Sequence, residues 1–246
     1  GTHVDDILLG IDPLCKSAGA AIQAVKDAIQ MTEENPPFRY CGRDYQQDSS
    51  GRVRIDMRST VVALEPISIA KQPKKTPQAK LSADEITELR SSLGSLGWIA
   101  RQLRADLCVD VSLKAQRVGI AVVLDLVEIN RIVVKCQEDP DFALVFEPFA
   151  PTVAFAAADS SFGNVDSEYG EKTRSQAGYI AGLTGHGFQE GADSIVHILE
   201  WQSASVKSVV RSTLAAEGYG VTDGAESLDW IRNVMAEMSH PDISLG

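Results

Sequence analysis

Near its N-terminus the chain reads His3-Val4-Asp5-Asp6-Ile7-Leu8-Leu9, two adjacent aspartates set into an apolar stretch. Side chains of a strand alternate between its faces, so neighbouring carboxylates among Val, Ile and Leu need either a turn or a metal ion to satisfy them. A tight turn is the structural explanation, because Asp is common there. A carboxylate pair offered to a hard divalent cation is the functional one.

The rest of the composition limits the class of protein. With 246 residues and 44% hydrophobic content, the chain can build one large or two modest cores. No stretch approaches the roughly 20 apolar residues of a membrane helix, and no basic region followed by an apolar run opens the chain, so a cytoplasmic or nuclear location and no membrane partner are expected. Cys15, Cys41, Cys108 and Cys136 form no Cys-x-x-Cys pair and read as reduced packing residues. His3, His186, His197 and His240 show no spacing of four, which argues against a histidine metal site.

A net charge of −11 is unfavourable for holding nucleic acid, where Lys and Arg supply most of the affinity. The charge is uneven. Residues 1–150 carry 18 basic against 21 acidic side chains, and residues 151–246 carry 5 against 13. The C-terminal part is therefore expected to bind nucleic acid weakly alone. Lys71, Lys74, Lys75 and Lys80 have no acid among them, and Arg101, Arg104, Lys114 and Arg117 follow. They fit a nucleic-acid-contacting surface or a solvated linker and helix face equally well.

Periodicity predicts an amphipathic helix over residues 17–31, then strands over 38–47 and 52–57 around the turn-forming Asp48-Ser49-Ser50-Gly51, and a short helix over 61–70. Residues 71–78, with two prolines and no large apolar side chain, read as a linker. Ser82-Ala83-Asp84-Glu85 matches a capping box, and Ile86, Leu89, Leu93, Leu96 and Ile99 form one helical stripe behind it. Helices over 106–116 and 119–136 are expected to pack on that stripe. The run Val153-Ala154-Phe155-Ala156-Ala157-Ala158 suits a buried central strand ending in Asp159. Further strands are expected over 176–183 and 194–201, then a long helix over 212–238 with Trp230, Ile231, Val234 and Met238 on its apolar face.

The order of motifs resembles the second half of a copia-type retrotransposon polyprotein. The residues that carry the resemblance are Val4-Asp5-Asp6, Phe38-Arg39-Tyr40-Cys41-Gly42-Arg43, Leu89-Arg90-Ser91-Ser92-Leu93-Gly94-Ser95-Leu96-Gly97-Trp98-Ile99-Ala100 and Arg104-Ala105-Asp106. Ala158-Asp159, Arg174-Ser175-Gln176-Ala177-Gly178-Tyr179-Ile180, Trp201-Gln202-Ser203 and Arg211-Ser212-Thr213-Leu214-Ala215-Ala216-Glu217 complete the series in the same order. Each is weak alone; their collinearity is specific. The resemblance implies an α+β chain: a reverse-transcriptase palm remnant (residues 1–80), a helical thumb and connection (81–150), and an incomplete ribonuclease H-like domain (151–246) with a mixed sheet and a packed helix.

It also implies a chemistry. Polymerase and ribonuclease H both transfer phosphoryl groups with two divalent ions, Mg2+ or Mn2+, held by carboxylates. Asp5 and Asp6 match the palm pair, and Asp159 and Glu217 match a strand-end Asp and a helix Glu of ribonuclease H. The parent's partner is a template-primer or RNA–DNA hybrid, with Lys71, Lys74, Lys75, Arg101 and Arg104 as candidate contacts. Further palm and fingers segments are expected before Gly1, and further catalytic aspartates beyond Gly246. His3 replaces the usual tyrosine, Ala105 replaces a proline, and Gly218, Gly220 and Gly224 each cost the last helix about 1 kcal/mol. The expectation is thus a fragment without activity of its own. The alternatives are a non-catalytic nucleic-acid or protein binding module derived from such an element, and an unrelated hydrolase, for which no Gly-x-Ser-x-Gly motif speaks.

Overall fold

A computed structural model describes residues 2–3, 6–10, 16–29, 31–69, 76–150, 153–165 and 174–239. At the N-terminus β1 (Thr2–His3) and β2 (Asp6–Ile7) pair antiparallel, with His3 opposite Asp6. Asp6 therefore opens the second strand of a short ribbon instead of standing in one continuous strand. Helix α1 (Lys16–Ala28) follows, and none of its described side chains is buried; Val25 and the adjoining Ile29 are exposed.

The segment expected as one strand over 38–47 folds back on itself as β3 (Phe38–Tyr40) and β4 (Arg43–Gln47). Cys41 and Gly42 turn the chain with φ of 48° and 74°. Two successive positive φ values give the twist that antiparallel strands need, and Cys-Gly is an unusual pair to supply it. The expected loop at 48–51 is present: the Asp48 carboxylate accepts from the Ser50 N–H at 2.8 Å and the Arg52 N–H at 3.1 Å. It leads to β5 (Val53–Asp56) and a one-turn helix α2 (Arg58–Val62).

The capping box forms as written. The Ser82 hydroxyl accepts from the Glu85 N–H at 3.3 Å, and the Glu85 carboxylate accepts from the Ser82 N–H at 2.8 Å, opening α3 (Ala83–Gln102). Leu89, Leu93, Leu96 and Ile99 are buried along it. A 3-10 turn (Ala105–Leu107) leads to α4 (Cys108–Gln116) and then α5 (Val123–Glu138), whose Leu126, Ile129, Val133 and Cys136 close the same core. Asp125 in the first turn of α5 is buried, accepts from the Val122 N–H at 2.9 Å and meets Arg117 at 2.9 Å.

Strand β6 (Ala143–Phe146) then returns to pair with β5, completing a four-stranded antiparallel sheet in the order β3-β4-β5-β6. The expected division after residue 80 thus falls inside one packed unit. Strands from both sides of it share a sheet, and Met57 and Val61 share a core with Leu89 and Leu126.

The C-terminal part is a meander of β7 (Val153–Val165), β8 (Arg174–Thr184) and β9 (Val196–Ser205), followed by α6 (Thr213–Ser239). Among the described residues its sheet is antiparallel throughout, not mixed, and β7 is an edge strand, not a central one. Helix α6 crosses β7 and β8. Of the apolar face expected on it, Ile231 is buried while Trp230 and Met238 are 61% and 75% exposed. The buried stripe consists instead of Ala216, Gly220, Gly224, Ser227 and Ile231. The other face of the sheet meets the helical unit: the buried Trp201 indole donates to the Ala100 carbonyl at 2.8 Å, and Gln176 donates to the Ser112 hydroxyl at 2.9 Å.

Candidate functional site

Small residues let α6 approach β7 closely. An added Cβ on Gly220 would stand 2.9 Å from the Ser160 hydroxyl and 3.4 Å from the Asp159 carbonyl, and one on Gly224 would meet Ala156 and Ala158 at 3.6 and 3.8 Å. The Ser160 hydroxyl uses that proximity to donate to the Ala216 carbonyl at 3.0 Å. The residues adjoining this bond are the two candidate carboxylates, Asp159 on the strand and Glu217 on the helix. Strand alternation turns Ser160 toward α6 and Asp159 away from it. Asp159 is exposed, faces Gly178 across the ladder and accepts from the Ser160 N–H at 2.9 Å; Glu217 is half-buried. The two positions are therefore neighbours in the backbone, while the Asp159 side chain starts from the sheet face opposite α6. Asp159 is the seventh of thirteen strand residues, not the last, since the ladder continues until it shifts between Ser161 and Val165.

A second polar cluster fixes the register of α6. Glu200 on β9 accepts from the Tyr179 hydroxyl at 3.1 Å and from the Ser227 hydroxyl of α6. Burial, and next the Glu200 charge, push the Tyr179 phenol up to about 12. Sequence reasoning missed Ser160 and this cluster, and read Gly220 only as a cost to the helix. Spacing by four of Ala216, Gly220 and Gly224 was the available signal for a helix lying tight on a sheet.

Of the remaining candidates, only Arg101 and Arg104 have described side chains. Asp5, Lys71, Lys74 and Lys75 lie outside the described residues, as does the side chain of Asp6. Arg101 is exposed in the last turn of α3. Arg104 differs from the expected surface contact: it is 5% exposed and sits 4.8 Å above the Phe142 ring. It also holds Asp106 through two bonds of 2.8 and 2.9 Å, so its charge is taken up inside the fold.

The carboxylates of Asp159 and Glu217 have the oxygen chemistry that suits Mg2+ or Mn2+. Two such groups do not fit a pair of ions, which needs more donors than they provide, and among the described residues no three Asp, Glu, His or Cys side chains come together as metal ligands. No described helix is long and apolar enough to cross a membrane.

Comparison with known proteins gives one relative of note, a retrovirus-related Pol polyprotein from transposon RE2 of Arabidopsis thaliana. It is 24% identical over 256 aligned residues, which cover 98% of this chain. The chain spans 16% of the length of that relative. No family model matches, and no solved structure matches.

Proposed function

We propose that this chain is a segment of a copia-type retrotransposon polyprotein, running from the end of the reverse-transcriptase palm through thumb and connection into the opening of a ribonuclease H-like domain. The similarity along 98% of the chain to a Pol polyprotein supports the ancestry. The observation that carries the domain reading is the β7-β8-β9 meander crossed by α6, in which the Ser160–Ala216 bond sets the Asp159 and Glu217 positions side by side. Those two residues are the retained half of a carboxylate site. The parent's chemistry is phosphoryl transfer on an RNA–DNA hybrid, for which Asp159 and Glu217 by themselves are too few carboxylates. Its own residual role is weak, salt-sensitive adhesion to such a hybrid through Arg101 and the lysines at 71, 74 and 75.

The test is cleavage and binding of an RNA–DNA hybrid by the chain with Mg2+ and with Mn2+, beside Asp159→Asn and Glu217→Gln. The expected outcome is no cleavage, with binding whose logarithm falls with the logarithm of salt at a slope of about −1 per phosphate contact. Cleavage that both substitutions abolish would mean that the site is complete. Absence of any salt-dependent binding would instead favour a protein-binding module.

A further inference from the structure

Besides the bonds that Trp201 and Gln176 make with α3 and α4, the C-terminal meander is tied to the rest of the fold at a histidine. His197 of β9 is 8% exposed, and its Nε2 accepts from the backbone N–H of Glu147 at 3.0 Å. Glu147 directly follows β6, so the bond ties the four-stranded sheet to the three-stranded one. Phe146 and Phe149 stand edge-on to the imidazole at 5.2 and 4.5 Å, enclosing it between the two sheets.

We propose that His197 is a pH-sensitive latch between these two units. Accepting a backbone N–H requires a bare Nε2, so the docked state needs the neutral ring with its proton on Nδ1. A proton on Nε2 turns the acceptor into a donor aimed at another donor and places a charge inside an aromatic enclosure. The Glu147 N–H then loses its partner, and the connection between β6 and β7 comes away from β9.

The surroundings oppose that proton more than they favour it. Burial, the larger influence, pulls the His197 pKa below its ordinary value, and the carboxylate of Glu147 raises it by less. That carboxylate is engaged by Arg52. The β8 residues beside His197, Gly182, Leu183 and Thr184, carry no charge. Since the folded-state pKa lies below the unfolded value near 6.5, the docked state is at full strength above about pH 6.5 and weakens as pH falls below it.

Trp201 reports on whether the two units stay docked, because its indole is buried at their other contact, the Ala100 carbonyl, whereas Trp98 and Trp230 are 44% and 61% exposed. In a Trp98→Phe, Trp230→Phe background, Trp201 emission is expected to shift to the red between pH 7.5 and 5 while far-ultraviolet circular dichroism is retained. His197→Gln, whose amide oxygen still accepts but does not titrate, is expected to abolish the shift. Amide exchange at Glu147 in the unmodified chain, corrected for its intrinsic rate, reads the bond without a substitution: protection falls by up to about tenfold per pH unit once His197 titrates. Unchanged Trp201 emission and unchanged Glu147 protection over this range would overturn the proposal. An identical shift in folded His197→Gln would overturn it as well.

Discussion

Gly218 and Gly220 stand two residues apart in α6 and respond oppositely to a side chain. A Cβ on Gly218 meets nothing within 4 Å, so Gly218→Ala receives only the helix-propensity gain and is expected to stabilise the chain by about 1 kcal/mol. The same methyl on Gly220 intrudes on the hydroxyl that binds the Ala216 carbonyl. Gly220→Ala is therefore expected to lower the melting temperature despite its equal propensity gain. Paired thermal melts check both signs. Arg104 provides a second test at this scale. Its guanidinium donates to Asp106 and stacks on Phe142, so Arg104→Ala is expected to cost about 2 kcal/mol of stability, read by urea unfolding, and to leave the salt slope of hybrid binding unchanged. Hydrogen bonds from Arg104 hold the Asp106 carboxyl below its usual range. The stability from that pair is present above the unfolded pKa near 3.9 and is lost as pH falls through the folded one.

Helix α3 and helix α6 differ in how openly the sequence announces them. For α3, the Ser82–Glu85 box and the leucine stripe state both where the helix starts and which side is buried, because cap and core use residues whose chemistry is distinctive. The existence of α6 is legible from its length and spacing, but its sheet-facing side is not: Ala216, Gly220, Gly224 and Ser227 give no hydropathy signal, and Trp230 draws attention to the solvent side. The turn at Cys41-Gly42 is hidden because only backbone dihedrals distinguish it from continuous strand. The β5–β6 pairing is hidden because it joins positions some ninety residues apart, a choice made by tertiary packing. At the candidate site, Asp159 and Glu217 were nameable from their motifs, whereas the Ser160 bond that sets their positions side by side depends on a close approach only the fold creates. One expectation at this scale follows for dynamics. Met57 and Val61 are buried with the helices, while α1 has no buried described side chain. Amide exchange in residues 53–62 is expected to be slow and that of α1 fast; uniform protection across both would contradict this packing.

For the molecule as a whole, the three-stranded sheet is held to the helices through Trp201 and Gln176 and to the four-stranded sheet through His197, with Asp159 exposed on the edge strand β7 and Glu217 half-buried on α6. The chain is similar along 98% of its length to a Pol polyprotein, and the proposal is that Asp159 and Glu217 are what it keeps of a carboxylate site. The acidic balance of residues 151–246 and the internal Arg104 both limit how firmly this piece alone can hold nucleic acid. The most direct measurement is a Mn2+ titration followed by paramagnetic broadening of backbone amides. If Asp159 and Glu217 are the two retained ligands of one site, residues 159–161 and 216–218 broaden together at the same Mn2+ concentration, and either Asp159→Asn or Glu217→Gln abolishes the effect at both. Broadening at only one of the two segments, or joint broadening that survives either substitution, would contradict the half-site.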